Sequence, residues 1–279
     1  MTEKHVLGLS GGRDSAALAV FMRETRPDLN IEYFFTDTGK ELEEVYDYLH
    51  RLEGFLGKPI LYLNPDRDFD FWLKEYGNFL PSPRSRWCTR QLKLRPFEKW
   101  IRPDLDAGHT VNSYVAIRAD EPERGGMNAT DPNLKVHFPF REQGIDKAGV
   151  IDLLEASGLG LPAYYRWRSR SGCTFCFYQQ KIEWVRLKRE HLERFEEAKS
   201  YEKTALEHGS PFTWSDRESL EELEQPERMV EIEADYETRL AREKARRPVN
   251  PLREGLDDIE IDEVYGTAEV AASCIVCHK

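Results

Sequence analysis

The sequence predicts an α/β protein with a doubly wound parallel sheet and a mostly helical C-terminal region. Short apolar runs alternate with helical patterns from the N-terminus to Ile117, which indicates right-handed βαβ units. A glycine turn follows the first apolar run, and a polar segment follows the second. Ligands of such sheets bind beyond the carboxyl ends of the strands, so we expect both segments in one site.

Four apolar runs are predicted to be strands, and one later segment is strand-like. Apolar runs of this length, bounded by turn residues, are typical of buried strands. The four runs span 6–9, 31–35, 60–63 and 111–117, and the strand-like segment spans 135–140.

Helical patterns fill the segments between the predicted strands and continue after them. The predicted helices span 15–24, 41–55, 68–76, 91–101, 146–156 and 179–195. Pro27 and Gly57 follow the first two, as expected of residues that stop helices. From 196 to 262 the chain is acidic and helix-prone, and we interpret it as a solvated helical cap. We predict two domains, 1–165 and 166–279.

The composition is that of a globular protein, with 40% hydrophobic and 33% charged residues. No run approaches the roughly 18 apolar residues that a membrane helix needs. The N-terminal residues lack the apolar core of a signal peptide, so we expect a cytoplasmic protein with no membrane partner. Five cysteines in a reducing compartment favour metal or sulfur chemistry over disulfides. The net charge of −11 argues against indiscriminate nucleic-acid binding but leaves room for a local basic groove.

The turn after the first predicted strand reads Ser-Gly-Gly-Arg-Asp-Ser at 10–15. Its glycines let backbone N–H groups turn inward, and the following helix adds its positive end, so the turn can hold phosphate. No Gly-Lys-Ser/Thr follows at the spacing of a Walker loop. The alternative is an ordinary strand-to-helix turn capped by Asp14 or Ser15.

Six blocks in order resemble the PP-loop, or adenine-nucleotide α-hydrolase, superfamily, in its branch similar to phosphoadenosine phosphosulfate (PAPS) reductases. They are Ser-Gly-Gly-Arg-Asp-Ser at 10–15, Thr-Asp-Thr-Gly-Lys at 36–40, Trp-Cys-Thr-Arg-Gln-Leu-Lys at 87–93, Ile-Arg-Ala-Asp-Glu at 117–121, Phe-Pro-Phe-Arg at 138–141 and Gly-Cys-Thr-Phe-Cys at 172–176. The resemblance covers about residues 5–195. It implies a Rossmann-like ATP pyrophosphatase that splits ATP between its α and β phosphates.

Within this superfamily the chain looks closer to the sulfurtransferase subunits of DNA phosphorothioation. A single cysteine in the Trp-Cys-Thr-Arg block, a later Cys-x-x-Cys and basic flanks carry this likeness. True reductases carry a C-terminal Glu-Cys-Gly motif, where this chain has Ser-Cys-Ile-Val-Cys-His-Lys. The resemblance implies that ATP activates a DNA backbone phosphate and that sulfur replaces a non-bridging oxygen. It also implies a modification complex whose sulfur comes from a cysteine desulfurase.

We expect ATP and its Mg²⁺ beyond the first two predicted strands. The predicted ATP-binding residues are Ser10, Gly11, Gly12, Asp14, Ser15, Asp37, Thr38, Gly39 and Lys40. Asp14 is expected to cap the helix and to hold Mg²⁺. For Asp37 a helix N-cap is the alternative, and for Lys40 a solvated position at a helix start. The predicted catalytic residues are Asp14, Cys88 and Arg118.

The cysteines allow two metal arrangements. They are Cys88, Cys173, Cys176, Cys274 and Cys277. The first three with one more ligand make a 4Fe–4S cluster, which we favour because Cys88 shares a basic block with expected substrate contacts. The two Cys-x-x-Cys pairs make a tetrahedral zinc site instead. Cys88 is then a free persulfide carrier, with a pKa lowered by neighbouring arginines.

Two basic clusters with interleaved aromatic residues are expected to bind substrate phosphate. The residues assigned to it are Arg84, Arg86, Arg90, Lys93, Arg168 and Arg170. Arginine forks match phosphate oxygens and aromatic rings stack on bases, which suits a nucleic-acid backbone. The neighbouring rings are Trp87, Tyr164, Tyr165 and Trp167. The alternative is a solvated basic face whose rings belong to the core, and we favour core packing for Trp167 alone.

Three other functions remain open at this point. A PAPS or adenosine phosphosulfate reductase would act on a sulfonucleotide, which also needs arginines. A tRNA thiolase would share the phosphate loop and often a three-cysteine cluster. A catalytically idle nucleotide-binding subunit would only anchor partners, and it would release no pyrophosphate from ATP.

Overall fold

A five-stranded sheet forms the centre of the computed structural model, which describes residues 3–125, 131–210, 212–215, 217–246 and 261–265. All neighbouring strands are parallel, in the order β3-β2-β1-β4-β5. The strands are β1 (Glu3–Leu9), β2 (Ile31–Phe35), β3 (Ile60–Tyr62), β4 (Thr110–Tyr114) and β5 (Leu134–His137). With the helices that cover both faces, this sheet confirms the predicted fold class.

The strand order locates the crevice where a ligand is expected. From β1 the chain moves outward to β2 and β3, and then crosses back to place β4 on the other side of β1. Leu9 at the end of β1 pairs with Phe35, and Leu7 pairs with Tyr114. The segments that follow β1 and β4 therefore flank the point at which the winding direction changes.

Eleven α-helices are present in the described residues. They are α1 (Arg13–Thr25), α2 (Glu43–Leu56), α3 (Phe69–Glu75), α4 (Arg95–Asp106), α5 (Pro139–Glu142), α6 (Lys147–Ala156), α7 (Lys181–Glu190), α8 (Leu192–Glu207), α9 (Leu220–Leu223), α10 (Pro226–Arg246) and α11 (Ile261–Tyr265). A π-helical turn, Thr89–Leu94, leads into α4, and a 3₁₀ turn, Ala163–Arg166, precedes the Cys-x-x-Cys segment.

Three predicted element boundaries are wrong. The strand-like segment 135–140 forms a strand only as far as His137, because α5 begins at Pro139. The predicted helix 179–195 is two helices, because His191 leaves the helical region at φ −139° and ψ 66°. The predicted strand 111–117 ends at Tyr114, and the chain then leaves the sheet although residues 115–117 stay buried.

The two faces of the sheet carry different halves of the core. Val6 and Phe34 face α4, where they pack with Phe97. Leu7 and Phe35 face the other side, in a larger cluster that includes the fully buried run 16–20 of α1. The same cluster includes buried side chains of α7, α8 and the segment after them. The C-terminal helices therefore pack on the α/β core.

The helices are too short or too polar to cross a membrane. No helix in the described parts of the chain has the length and apolar character of a membrane span.

Candidate functional site

The glycine turn after β1 has a backbone that only glycine accommodates. Gly11 has φ +70°, and a Cβ there would lie 2.5 Å from Cγ1 of Val45. A Cβ on Gly12 would lie 2.7 Å from Oγ of Ser171. The turn is therefore pressed between α2 and the segment that leads to Cys173.

A chain of hydroxyl groups fixes this turn. The Ser10 N–H donates to Oγ of Ser15 over 3.1 Å, and the Ser15 hydroxyl donates to the Gly12 carbonyl over 3.2 Å. The Gly12 N–H donates to Oγ of Ser10 over 3.3 Å. The Ser171 hydroxyl donates to Ser10 over 3.1 Å and so joins the two segments.

Helix α1 begins without a side-chain cap. Gly12 is the N-cap residue and Arg13 the first helical residue, so the prediction that Asp14 caps the helix is wrong. Asp14 lies in the first turn with its side chain buried. The helix N-terminus lies directly after the glycine turn, and a helix N-terminus in this position attracts anions.

Two tyrosines brace the turn, and the sequence analysis missed this role. The fully buried Tyr164 hydroxyl donates to the Gly11 carbonyl over 2.8 Å. The Tyr165 hydroxyl accepts from the Arg13 N–H over 3.4 Å. Burial raises the pKa of both phenols, which keeps them protonated. Tyr164 is not available to stack on a base, because its ring is completely buried. Tyr165 is half-buried and stacks on Tyr164, with ring centres 4.9 Å apart.

Arg118 is held by carboxylates where the chain leaves β4. Its Nη1 donates to Oδ1 of Asp14 over 3.1 Å, and its Nε donates to Asp120 over 2.9 Å. Glu121 lies 3.7 Å away. Burial by itself would lower the pKa of Arg118, but these carboxylates raise it above its ordinary value. A fixed positive charge therefore lies beside the glycine turn.

The segment after β2 presents Asp37 and Thr38. The Asp37 carboxylate accepts from the Gly39 N–H over 2.9 Å and from the Tyr46 hydroxyl over 2.7 Å. It does not cap α2, because that helix begins at Glu43 with Leu42 as its N-cap. The helix-cap alternative for Asp37 is therefore wrong.

Lys40 is neither solvated nor at a helix start. Its ammonium group contacts Glu197 at 2.7 Å, Tyr201 at 2.8 Å and Asp70 at 3.1 Å. The Lys40 carbonyl accepts from the Thr174 N–H over 2.7 Å. Lys40 thus links the segment after β2 to α3, α8 and the cysteine segment. These contacts occupy the ammonium group that we expected to meet phosphate.

Cys88, Cys173 and Cys176 line one cavity, here called the cysteine cavity. Its wall also contains the cations of Arg86, Lys93 and Arg170, and the other lining residues are Thr38, Phe69, Pro81, Thr89, Leu92, Ser171, Gly172, Phe175, Phe177, Tyr178 and Trp214.

A second cavity, here called the loop cavity, lies beside the glycine turn. It is lined by Ser10, Phe35, Thr36, Glu41, Lys93, Ser171 and Gly172. The last three of these residues also line the cysteine cavity. The two cavities therefore share one wall, and the side chains of Lys93 and Ser171 lie in it.

Cys173 lies against Thr38 and Glu41. Its Sγ is 3.2 Å from the Thr38 hydroxyl, and its thiol donates to Oε1 of Glu41 over 3.6 Å. Burial raises the pKa of Cys173 well above its ordinary value, and Glu41 raises it further. Cys173 is therefore a protonated thiol at neutral pH.

The described residues contain no preformed metal site. Among residues 3–125, 131–210, 212–215, 217–246 and 261–265, no three His, Cys, Asp or Glu side chains lie close enough to hold a metal ion. Cys274 and Cys277 lie outside the described residues. The iron–sulfur and zinc arrangements both remain predictions.

The predicted substrate-binding arginines divide into two groups. Arg168 is completely buried and donates to the carbonyls of Gly172 and Cys173 over 3.3 and 2.8 Å. Its assignment to substrate phosphate is therefore wrong, because it holds the cysteine segment. Arg86 and Arg170 instead lie over the ring of Tyr178. Their Cζ atoms are 6.0 and 5.9 Å from the centre of that ring.

The Arg86 guanidinium in this cavity is suited to receive an anion. Its Nε is buried and has no hydrogen-bond partner among the described residues. An unsatisfied buried donor is costly, and an anion in the cavity would satisfy it. Arg84 and Arg90 are exposed nearby.

Trp87 and Trp167 belong to the core. Trp87 is buried, donates from its indole N–H to the Phe79 carbonyl, and stacks on Tyr76 with ring centres 5.2 Å apart. Trp167 is buried against His191, which confirms the core packing favoured for it. Trp87 is therefore not available to stack on a base.

Residues 4–125 match the family model of the phosphoadenosine phosphosulfate reductase domain. The matched segment contains the glycine turn and the blocks at 36–40, 87–93 and 117–121. This part of the chain is therefore similar to the PAPS-reductase-like PP-loop proteins, as those blocks predicted.

Two relatives are described as uncharacterized proteins. One, from Methanocaldococcus jannaschii, is 34% identical over 119 residues, or 42% of this chain. The alignment spans only 23% of that protein. The other is a 37.8 kDa protein from the gpa 5′ region of Escherichia phage 186. It is 26% identical over 233 residues, which cover 64% of this chain and 68% of that one.

Two solved structures are similar in fold. One is PAPS reductase from Candida auris in a phosphate complex, with a TM-score of 0.46, 12% identity, and coverage of 61% of this chain and 81% of the other. The other is NMN synthetase from Francisella tularensis, with a TM-score of 0.37, 16% identity, and coverage of 74% and 87%.

Proposed function

We propose that this protein is an ATP pyrophosphatase that adenylates a DNA backbone phosphate and supports sulfur transfer to it. The observation that carries the proposal is the wall shared by the loop cavity and the cysteine cavity. A nucleotide phosphate held at the glycine turn would lie next to the compartment that contains three thiols. Activation and sulfur transfer need these two groups to meet.

The first step would take place at the glycine turn. A non-bridging oxygen of the DNA phosphate attacks the α-phosphate of ATP, and pyrophosphate leaves. The helix N-terminus after the turn would attract the phosphates, and the hydroxyls of Ser10 and Ser15 would exchange their bonds within the turn for bonds to phosphate oxygens. Arg118, held in its charged form, and Lys93 in the shared wall would stabilise the negative charge that develops.

The second step would take place in the cysteine cavity. The terminal sulfur of a persulfide on Cys88 attacks the adenylated DNA phosphorus, and AMP leaves. A thiol of the Cys173 and Cys176 pair then attacks the sulfur–sulfur bond, which releases the phosphorothioate and leaves a disulfide. A partner cysteine desulfurase would supply the persulfide sulfur, and an external thiol would reduce the disulfide back to two thiols.

Charge in the cysteine cavity supports a phosphate-bearing substrate. Arg86, Lys93 and Arg170 all line it, although the whole chain carries a net charge of −11. A local excess of cations in an acidic protein selects a polyanion at one place rather than over the whole surface. DNA is the proposed substrate.

A product assay tests this function directly. The purified chain, a persulfide donor, a DNA duplex and ATP labelled in the α-phosphate are incubated together. We expect DNA-dependent formation of AMP and pyrophosphate, and nuclease-resistant phosphorothioate dinucleotides by mass spectrometry. Thionucleosides in tRNA would instead identify a thiolase, and no pyrophosphate from ATP would identify an idle subunit.

Sulfonucleotide reduction is a second candidate, which the PAPS reductase domain match at 4–125 favours. The cations of the cysteine cavity would then bind the sulfonucleotide phosphates. A thiol would attack the sulfonucleotide sulfur to form a thiosulfonate with loss of the nucleotide, and a second thiol would release sulfite and leave a disulfide. Sulfite release from PAPS, lost when Cys274→Ser and Cys277→Ser are combined, would establish this alternative. DNA would have no effect on it.

Metal content is tested separately, because neither of the two proposed activities requires a cluster. Anaerobic purification followed by iron, sulfide and zinc analysis distinguishes the predictions. About four irons per chain would support the 4Fe–4S cluster. Stoichiometric zinc would support the site made by the two Cys-x-x-Cys pairs.

A further inference from the structure

Glu41 is a buried carboxylate whose two oxygens have different surroundings. Oε1 accepts from the Thr38 hydroxyl over 2.9 Å and from the Cys173 thiol over 3.6 Å. Oε2 is buried and has no hydrogen-bond partner among the described residues. The side chain is only 2% exposed, so solvent does not satisfy this oxygen. A buried polar atom left in this state is costly unless an ion or water fills the place.

The position of Glu41 indicates what would satisfy Oε2. Glu41 and Ser10 line the same loop cavity, beside the turn that is proposed to bind ATP phosphates. Mg²⁺ is bound in proteins by one or two carboxylates together with substrate phosphates and water. A full set of protein ligands is therefore not needed at this place.

Asp14, the residue first expected to hold Mg²⁺, is engaged elsewhere. Its Oδ1 accepts from Arg118 over 3.1 Å and lies 3.8 Å from Nε of Arg13. Two guanidinium groups already compensate its charge.

We propose that Glu41, through Oε2, is the protein ligand of the Mg²⁺ that accompanies the nucleotide. This inference rests on the proposed function, because the ion would be held between Glu41 and the phosphates of bound ATP. Oε1 would remain fixed by Thr38 and Cys173, so the carboxylate is oriented before the ion arrives. Asp14 would instead keep Arg118 in place.

Binding measurements on the full chain test this assignment without relying on turnover. Mn²⁺ serves as the paramagnetic probe, with an ATP analogue that carries a methylene bridge between its α and β phosphates. Electron paramagnetic resonance measures bound Mn²⁺, and calorimetry in chelator measures binding of the metal-free analogue. The variants are Glu41→Gln, Asp14→Asn and the control Glu44→Gln. Glu44 is another carboxylate with a buried, unpartnered Oε2, but it contacts His191 and does not line the loop cavity.

We expect Glu41→Gln to weaken Mn²⁺ binding in the ternary complex by about ten-fold or more. Metal-free analogue binding should change less than about two-fold, since the amide has the same shape. Asp14→Asn and Glu44→Gln should retain Mn²⁺ affinity. Loss in Asp14→Asn with no loss in Glu41→Gln would overturn the assignment, as would equal affinity in all four proteins. If the wild type binds no analogue even without metal, the proposed function itself is wrong.

Discussion

The glycine turn differs from the loop cavity and the cysteine cavity in how the polar groups are satisfied. In the turn, serine hydroxyls, a tyrosine and backbone groups bond to one another. Nε of Arg86, in the cysteine cavity, and Oε2 of Glu41, in the loop cavity, are buried without a partner in the described residues. The turn is therefore preorganised, whereas each cavity has a group that an incoming ligand would satisfy.

The largest effect should follow from a side chain at Gly11. In Gly11→Ala, positive φ and the 2.5 Å approach to Val45 together should lower the free energy of unfolding by about 4 kcal/mol. Urea denaturation measures this loss. Gly39→Ala is the matched control, because Gly39 has the same φ of +70° but open space around it. We expect a loss of about 1 kcal/mol there. Equal losses in both variants would mean that the turn is not closely packed.

Substitutions of Arg168 and Arg86 should have different effects, because Arg168 supports the fold and Arg86 is proposed to bind the substrate. Arg168→Met leaves two buried carbonyls without donors and should cost about 3 kcal/mol of unfolding free energy. Arg86→Met should change stability by less than about 0.5 kcal/mol but weaken DNA binding. Urea denaturation and fluorescence anisotropy with labelled duplex measure the two effects. A large loss of stability in Arg86→Met would remove the distinction.

The position of the glycine turn could be predicted from the sequence, but most of the contacts that hold it in place could not. The alternation of apolar runs and helices is local, and it correctly gave the parallel sheet and the place of the turn. The Tyr164 bond to Gly11 joins residues 153 positions apart, and no local pattern announces it. Arg168 was assigned to substrate phosphate from its charge. Charge predicts binding only when the side chain reaches solvent, and Arg168 is completely buried.

The residues that line the cysteine cavity could be predicted from the sequence, but the protonation state of its thiols could not. The cysteines of the blocks at 87–93 and 172–176 were expected to lie together, and they do line one cavity. The raised pKa of Cys173 depends on burial and on Glu41, 132 positions earlier in the chain. The sequence showed the arginines near the cysteines, which lower a thiol pKa. Glu41, which raises the pKa of Cys173, is brought next to it only by the fold.

A smaller effect should follow from removing the tyrosine brace. Tyr164→Phe leaves the Gly11 carbonyl unsatisfied and should cost about 1.5 kcal/mol of unfolding free energy. ATP affinity should fall as well, because the turn loses a contact that orients it. Calorimetric titration measures the affinity. Tyr178→Phe, in the cysteine cavity, should leave ATP affinity unchanged, and an equal fall there would argue against a specific brace.

The smallest effect concerns the reactivity of one thiol. Glu41 raises the pKa of Cys173, so Glu41→Gln should lower that pKa and increase the thiolate fraction at a given pH. Alkylation of Cys173 by iodoacetamide should therefore become several-fold faster at pH 8, as followed by peptide mass spectrometry. In the wild type the alkylation rate of Cys173 should keep increasing as the pH is raised beyond the ordinary pKa of a cysteine thiol. Unchanged alkylation in Glu41→Gln would show that the carboxylate does not act on the thiol.

The central claim is that the turn at 10–15 holds nucleotide phosphates. Calorimetric titration of ATP into the wild type and into Ser15→Ala tests it most directly, because this change removes one hydroxyl and keeps the glycines. We expect saturable binding to the wild type and affinity about ten-fold weaker in Ser15→Ala, with both proteins folded. Equal affinity in the two proteins, or no binding by the wild type, would contradict the claim.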